Sequence, residues 1–406
     1  MMFQILTQEQ NSLKLIKEAK NKLLEITDVI KESNCENIGL LTGNIGIAIF
    51  AAHINTIYNN IDVNNSMENA LNKCFSALEN DGSNHKFADG LAGICWGINH
   101  LVNKKIIDTD VDLLFEDLEI PLLAESENDM RANFFDFIHG GLGASIYAFD
   151  RLDNIKAKIH ISKTVNYIYE YAEILNEEVK WKTIININEG VEKIEYNLGL
   201  SHGIPSIIWV LCKSYDSNIE TEKCSQLIKG SINWILKQKL NINSISLFPS
   251  AIEIGRLQKH SRLGWCYGDL GIASIIWQAG KSLNNEVWKA EAIKIMTHAS
   301  NRKNFKDNGI FDAGLCHGTA GIAHIYNRFY FETKLKKFKE TANFWIGETL
   351  KLASYNDGLA GFKSMSEGMG YVNEYSLLEG VSGIGLALYS HISDEEPTWD
   401  RCLLLS

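Results

Sequence analysis

A glycine motif that recurs seven times constrains this chain more than any other feature of its sequence. Six copies read Gly-x-x-Gly and lead into apolar runs at helical spacing. These six pairs are Gly43/Gly46, Gly90/Gly93, Gly140/Gly143, Gly268/Gly271, Gly318/Gly321 and Gly380/Gly383. The seventh copy keeps Gly203 and has Ser206 in place of the second glycine. Such a period predicts tandem copies of one supersecondary unit.

The spacing of the copies predicts what that unit is. Successive first glycines lie 47, 50, 63, 65, 50 and 62 residues apart, which is enough for one helical hairpin with loops of variable length. Only four prolines occur in 406 residues, as expected of a mainly helical protein. The first and last copies are as apolar as the middle ones, whereas an open solenoid needs polar capping repeats. We therefore predict an all-α fold, an α/α toroid of seven helical hairpins, as a single domain over residues 1–406.

The composition excludes several classes of protein. With 45% hydrophobic and 22% charged residues, the chain is typical of a globular protein and not of a disordered one. A net charge of -11 argues against a nucleic-acid partner, which requires a basic face. No apolar run approaches the roughly 20 residues that span a bilayer, so no transmembrane segment is predicted. The first ten residues lack the features of a secretory signal, which predicts a cytoplasmic location and argues against a disulfide framework among the eight cysteines.

A polar residue precedes the first glycine in every copy. The seven residues are Thr42, Asp89, His139, His202, Tyr267, His317 and Glu379. A single residue of this kind is usually a helix N-cap or a satisfied core group. Histidine and tyrosine are poor caps, so seven polar residues in register predict a polar site where the turns meet at one end of the ring.

Two cysteines occupy the position one residue further back. Cys266 and Cys316 lie in consecutive repeats, which are neighbours in a ring, and His317 follows Cys316 directly. Two thiolates and one imidazole suit zinc, and three protein ligands leave the fourth position open, as in catalytic sites. We predict one zinc ion per chain on these residues. The alternative is two buried cysteines beside a core histidine.

Three motifs in this order resemble the lanthionine synthetase C family, the peptide cyclases of lantibiotic biosynthesis. They are Leu200-Ser201-His202-Gly203, Trp265-Cys266-Tyr267-Gly268-Asp269-Leu270-Gly271 and Cys316-His317-Gly318-Thr319-Ala320-Gly321. The resemblance extends over nearly the whole chain, through Tyr196-Asn197-Leu198-Gly199 and Leu247-Phe248-Pro249. It implies an α/α toroid with one zinc. It further implies that cysteine thiols of a precursor peptide add to dehydroalanine or dehydrobutyrine, which closes (methyl)lanthionine rings.

The resemblance also implies roles for individual residues. Cys266, Cys316 and His317 would hold the zinc, and His202 matches the family's catalytic histidine. Asp136 matches the active-site aspartate that orients His202, although an ordinary helix-cap aspartate is the alternative. Arg262 and Tyr267 match positions that line the site and would stabilise developing enolate charge.

The chain departs from the family pattern at two places, and other functions stay open. Ser206 replaces a glycine, and Asp269-Leu270 replaces a commoner small residue or proline, which puts loop geometry and substrate fit in doubt. No dehydratase-sized extension is present, so a separate dehydratase is expected, with an exporter as a further partner and with the membrane reached only through such partners. The alternatives are another zinc enzyme that alkylates thiols, such as a glutathione-adding or prenyltransferase-like barrel, and a metal-free binding scaffold.

Overall fold

The computed structural model describes residues 2–58, 61–80, 83–188, 191–393 and 395–406. The chain separates into two compact units, of which the first holds Met1–Ser83 and Gly309–Trp399 and the second holds Asn84–Asn308 and Asp400–Ser406. Each unit is described by itself. The prediction of one domain over 1–406 stays a prediction.

Helices make up most of the described chain, together with short strands. The helices are α1 (Met2–Lys31), α2 (Asn44–Tyr58), α3 (Ile61–Asn80), α4 (Leu91–Asn103), α5 (Val111–Leu114), α6 (Glu116–Arg131), α7 (Leu142–Phe149), α8 (Ile155–Glu170), α9 (Ile204–Asp216), α10 (Thr221–Lys237), α11 (Asp269–Ser282), α12 (Glu286–Ala299), α13 (Phe305–Asn308), α14 (Thr319–Thr333), α15 (Lys336–Leu352), α16 (Val381–Ile392) and a 3-10 helix over Trp399–Leu403. The strands are β1 (Glu173–Leu175), β2 (Glu178–Lys180), β3 (Thr183–Asn188), β4 (Val191–Asn197), β5 (Ala251–Glu253), β6 (Ser364–Ser366) and β7 (Gly370–Val372). No helix among the described residues is long and apolar enough to cross a membrane.

A helix begins within two residues of the first glycine of every repeat in the described chain. These helices are α2, α4, α7, α9, α11, α14 and α16, and they are apolar on nearly all sides and largely buried. A helix that is apolar all round belongs inside a core, whereas its amphipathic partner covers it. In the first unit α14, α16 and α2 pack in that order, with α15, α1 and α3 against them. In the second unit the order is α4, α7, α9 and α11, with α8, α10 and α12 outside α7, α9 and α11.

Backbone hydrogen bonds join the turns of consecutive repeats within each unit. The donor is the residue two before a first glycine, and the acceptor is its counterpart in the next repeat. Ala88 donates to Ile138 and Ser201 to Cys266, over 3.2 and 3.5 Å. Cys316 donates to Leu378 over 3.1 Å, and Leu378 in the last repeat donates to Leu41 in the first over 2.9 Å. The bond between the last and first repeats therefore follows the same rule as the others.

The second glycine of a repeat leaves room for the neighbouring turn. A Cβ added at Gly271 would lie 2.9 Å from Leu200 Cβ, and one at Gly46 would lie 2.7 Å from Leu377 Cβ. Real carbon atoms do not approach so closely. The close approach explains why these two positions carry glycine. Among the first glycines, Gly268 is explained by its backbone conformation, with φ at +94°.

The strands were not predicted. β1 pairs with β2, β3 with β4 and β4 with β5, all antiparallel, between α8 and α11 in the second unit. Part of the signal was present in the sequence, because isoleucine alternates with asparagine at the end of β3 and apolar with polar residues over 194–197 in β4. A period of two residues indicates a strand and differs from the helical spacing that predicts the repeats.

Candidate active site

The residue before the first glycine is accessible in all seven repeats of the described chain. Thr42, His202, Tyr267 and His317 are half-buried and Asp89, His139 and Glu379 are exposed, whereas every first glycine is buried. Where the N-cap of the following helix is described, the cap is a glycine with no side-chain cap bond. The polar residues are therefore not caps in those repeats.

Asp136 bonds to His202, which is the contact that the family resemblance implied. His202 Nδ1 lies 2.7 Å from Asp136 Oδ2. The other carboxylate oxygen, Oδ1, accepts the backbone N–H groups of Ile138 and His139 over 2.8 and 2.7 Å. Asp136 is thus a turn aspartate and a partner of His202 at once. Because an ionised carboxylate only accepts, Nδ1 carries the proton and Nε2 is directed away from Asp136.

The pair shifts both of its pKa values. Burial alone would raise the pKa of Asp136 and lower that of His202. The hydrogen bond and the opposite charges outweigh burial, so the pKa of Asp136 lies below its ordinary value and the pKa of His202 lies above. The imidazole therefore stays protonated to higher pH than a free histidine does, which suits a general acid.

Two rings flank His202. The His139 ring stacks at 5.8 Å between centroids, and the Tyr267 ring lies at 6.2 Å with a tilt of 35°. Asn197 Nδ2 lies 3.4 Å from the Tyr267 hydroxyl, and burial raises the pKa of that phenol. A Cβ at Gly199 would lie 2.6 Å from the Tyr267 ring, so glycine is needed there. Sequence reasoning gave Asn197 no role.

A cavity of about 250 Å³ opens over Asp136 and His202. Its walls come from Phe134 and Phe135, from Ile204 and Ile207 on α9, and from Trp181, Lys182, Thr183 and Ile184 at the start of the sheet. The part of the lining that comes from the sheet was not predicted, because the strands were not predicted. A second cavity of about 360 Å³ lies beside Tyr267 and the loop over residues 256–260.

Arg262 has no recorded side-chain contact with His202 among the described residues. It is exposed, and among the described residues its side chain has no hydrogen bond or ion pair. It lies in an irregular loop, where a spacing of four residues from Cys266 does not place two side chains on one face. Its role in the site stays a prediction.

The predicted zinc ligands differ in burial. Cys266 is buried, whereas Cys316 and His317 are half-buried. Two thiols and one imidazole are a donor set that catalytic zinc sites use, with the fourth position open. The chemistry of the donor set therefore fits zinc.

A scan against family models assigns residues 34–404 to "lanthionine synthetase C-like protein". The match covers most of the chain and includes every candidate residue above. The family resemblance seen in the three motifs is therefore confirmed.

Two known proteins are similar to this chain. Nisin biosynthesis protein NisC of Lactococcus lactis subsp. lactis is 26% identical over 219 residues, which cover 52% of this chain and 48% of that protein. The alignment thus spans about half of that relative. A solved structure of nisin cyclase matches with a TM-score of 0.73 and 19% identity, over 98% of both chains. This likeness confirms the predicted fold class, a mainly helical α/α toroid.

Proposed function

This chain belongs to the lanthionine synthetase C-like family, and we propose that it is a zinc-dependent lanthipeptide cyclase. The observation that carries the proposal is the pair of His202 and Asp136, with Nδ1 2.7 Å from Oδ2. The predicted zinc ligands Cys266, Cys316 and His317 supply two thiols and one imidazole. The named relatives, a nisin biosynthesis protein and a nisin cyclase, support the same reaction.

The three ligands would hold one zinc per chain and leave a position open. Zinc bound there would lower the pKa of a substrate cysteine thiol. Without the metal this thiol titrates near 8.5 and is only a few per cent ionised at neutral pH. Two cysteine ligands give the site two negative charges, which favours a nucleophilic substrate sulfur over one that is held too tightly.

His202 would protonate the substrate on the other side of the double bond. The substrate sulfur bonds to the β-carbon of the dehydro residue, its proton having left to solvent, and the α-carbon takes a proton from His202 Nε2. Asp136 holds Nδ1 at 2.7 Å and keeps Nε2 free for this transfer. No atom is gained or lost overall, so ring closure leaves the peptide mass unchanged.

Tyr267 and Arg262 would act on the enolate that precedes protonation. Tyr267, beside His202 and bonded to Asn197, would donate its hydroxyl proton to the enolate oxygen in a hydrogen bond. Arg262 would add positive charge from the exposed loop. The lining of the cavity over His202 would receive apolar side chains of the peptide.

The substrate and the partners follow from the reaction. The substrate is a ribosomally made precursor peptide, and a separate dehydratase must first convert its serines and threonines. An exporter would remove the product. We place the reaction in the cytoplasm, with any membrane association arising through those partners.

Metal analysis of the purified full chain tests the zinc site. We expect about one zinc per chain, and we expect Cys316→Ala to lose most of it. Cys212 is buried on α9 and is not one of the three predicted ligands, so Cys212→Ala is the matched control and should keep its zinc. A metal-free parent protein would refute the enzyme and leave a binding scaffold.

Ring closure is tested with a dehydrated precursor peptide. Free thiols are counted by alkylation and mass spectrometry, because cyclisation removes alkylatable cysteines without a change of mass. His202→Ala should keep zinc and slow ring closure by roughly 10²- to 10⁴-fold, as expected for loss of a general acid. Persistent thiols with zinc-loaded parent protein would contradict the proposal, and so would an unchanged rate in His202→Ala.

A further inference from the structure

A cavity of about 670 Å³ lies in the second unit, apart from the residues assigned above. It is formed by the C-terminal part of α4, by α5, by the start of α6 and by the connection from α7 to α8. It is larger than the cavities beside His202 and Tyr267, at about 250 and 360 Å³, and shares no lining residue with them.

The lining is strongly acidic. Five carboxylates stand against two basic side chains, and the acidic residues are Asp112, Glu116, Glu119, Asp150 and Asp153. Arg151 bonds to Asp112, and Lys156 lies 4.0 Å from Glu119. Glu116 and Asp153 are exposed at the rim, and neither has a side-chain hydrogen bond or ion pair with any described residue. The rim therefore carries uncompensated negative charge.

A buried amide without a partner lines the same cavity. Asn99 on α4 is only 2% exposed, and its Nδ2 has no hydrogen-bond partner in the described part of the chain. Leaving such a group unpaired is costly, and native proteins seldom do so without reason. A ligand that accepts from Asn99 would remove that cost.

One neighbouring atom shares this condition. Among the described residues Arg151 Nε is also buried without a hydrogen-bond partner, although Arg151 bonds to Asp112 through Nη2. Asp150 bonds to Arg401 through Oδ1. Burial raises the pKa of Asp150 despite that arginine. The cavity thus has two buried hydrogen-bond donors, Asn99 Nδ2 and Arg151 Nε, and mostly acidic side chains around them. A metal ion or a simple polyamine matches the acids but cannot accept from the donors.

We propose that this cavity binds a basic segment of a peptide. The cationic end of a lysine or arginine side chain lies at the acidic rim, and the carbonyl next to it accepts from Asn99 and Arg151. Both features occur together in one basic residue of a peptide chain. That the peptide is the substrate whose rings are closed rests on the proposed function, while binding itself does not.

A direct binding measurement tests the proposal apart from catalysis. The probe is a fluorescein-labelled peptide, Gly-Lys-Gly-Arg-Gly-Lys, which has no residue that could be dehydrated or cyclised. Fluorescence anisotropy with the full chain at low salt should show saturable binding, and the same peptide with glutamate at the three basic positions should not bind. Absence of saturable binding to the basic peptide would overturn the proposal, whatever the result of the cyclisation assay.

Charge at the rim is tested with a double variant. Glu116→Gln/Asp153→Asn should weaken binding about fivefold or more, because each exposed charge contact contributes up to about 1 kcal/mol. Glu18→Gln/Asp28→Asn on α1 removes the same charge from exposed positions elsewhere and should change binding less than about twofold. Equal weakening in both variants would mean that only the net charge matters, which would overturn the site.

Asn99→Leu separates a ligand-binding amide from a structural one. Because Nδ2 has no partner in the chain, leucine should leave the melting temperature unchanged or higher, and should weaken peptide binding about tenfold through the lost hydrogen bond. A lowered melting temperature with unchanged binding would overturn the assignment. Displacement of the probe by an equal concentration of free L-arginine would assign the cavity to an amino acid instead of a peptide.

Discussion

Asp136 does two things with its two oxygens, and a single substitution separates them. Oδ1 fixes the turn through the N–H groups of Ile138 and His139, while Oδ2 holds His202. Asparagine can keep the first role through its own Oδ1. It cannot accept from Nδ1 with its amide nitrogen and carries no charge.

Asp136→Asn should therefore change the pH dependence of ring closure. Asp136 raises the pKa of His202, so the protonated acid persists to higher pH in the parent. In the variant the alkaline limb of the pH–rate profile should move to lower pH, and the rate at pH 7.5 should fall roughly tenfold or more. Asp129→Asn is the matched control, since Asp129 Oδ2 bonds a different histidine, with His85 Nε2 at 2.6 Å. An unmoved limb would show that His202 is not the acid.

The pairing of Asp136 with His202 could be foreseen at the residue scale through the family resemblance, which matches both residues to active-site positions. The seven copies add that His202 shares its position with His139 and Tyr267, the two rings that flank it. The position of the Arg262 side chain could not be predicted in the same way. It lies in a loop without a regular period, so its distance in sequence from Cys266 does not determine where its side chain points.

At the scale of elements, the departure at Asp269 turns out to be structural. Asp269 is fully buried at the start of α11 and accepts the backbone N–H groups of Leu247 and Phe248 over 3.0 Å. It also pairs with the buried Arg302 at 3.1 Å. One carboxylate thus ties α11 to the segment before β5 and to the end of α12. The departure from the family pattern suggested altered substrate fit here, but the contacts of Asp269 indicate a structural role. We call this set of contacts, from Asp269 to Leu247, Phe248 and Arg302, the Asp269 clamp.

Asp269→Asn should destabilise the second unit. The amide keeps one acceptor but leaves Arg302 buried without its counter-charge, which costs about 3 to 5 kcal/mol. Urea unfolding followed by circular dichroism measures the loss. Glu286→Gln breaks an exposed pair with Lys289 and should cost less than about 0.5 kcal/mol. Equal stability of Asp269→Asn and the parent would mean that the clamp contributes nothing.

The repeated helices were predictable as elements, and the strands were not. A helix that starts beside a glycine and stays apolar for two turns or more leaves a strong signal at every copy. β1, β2 and β5 have only three residues each, which is too short for an alternating pattern to be distinguished from loop sequence. β1 and β2 pair only with each other, and β5 alone of the three pairs with a longer strand, β4.

At the scale of the whole molecule, buried histidines should make stability depend on pH. Burial lowers the pKa of His160 in the second unit to about 4 and that of His391 in the first unit to about 3. Both values lie below the ordinary 6.5, so the unfolded chain takes up protons that the folded chain does not. Stability is full above pH 6.5 and is lost as pH falls toward these values, by roughly 2 kcal/mol per histidine at pH 5.

Acid unfolding of two variants then tests whether residues 1–406 form one cooperative domain. His160→Gln and His391→Gln each remove one buried histidine, from different units, and the exposed His260→Gln is the control. In a single cooperative domain either variant should flatten the pH dependence of one common transition by roughly 2 kcal/mol between pH 7 and 5. If each variant shifts a separate transition, the two units unfold independently and the single-domain prediction is wrong. If neither changes the slope, the two histidines do not govern acid stability.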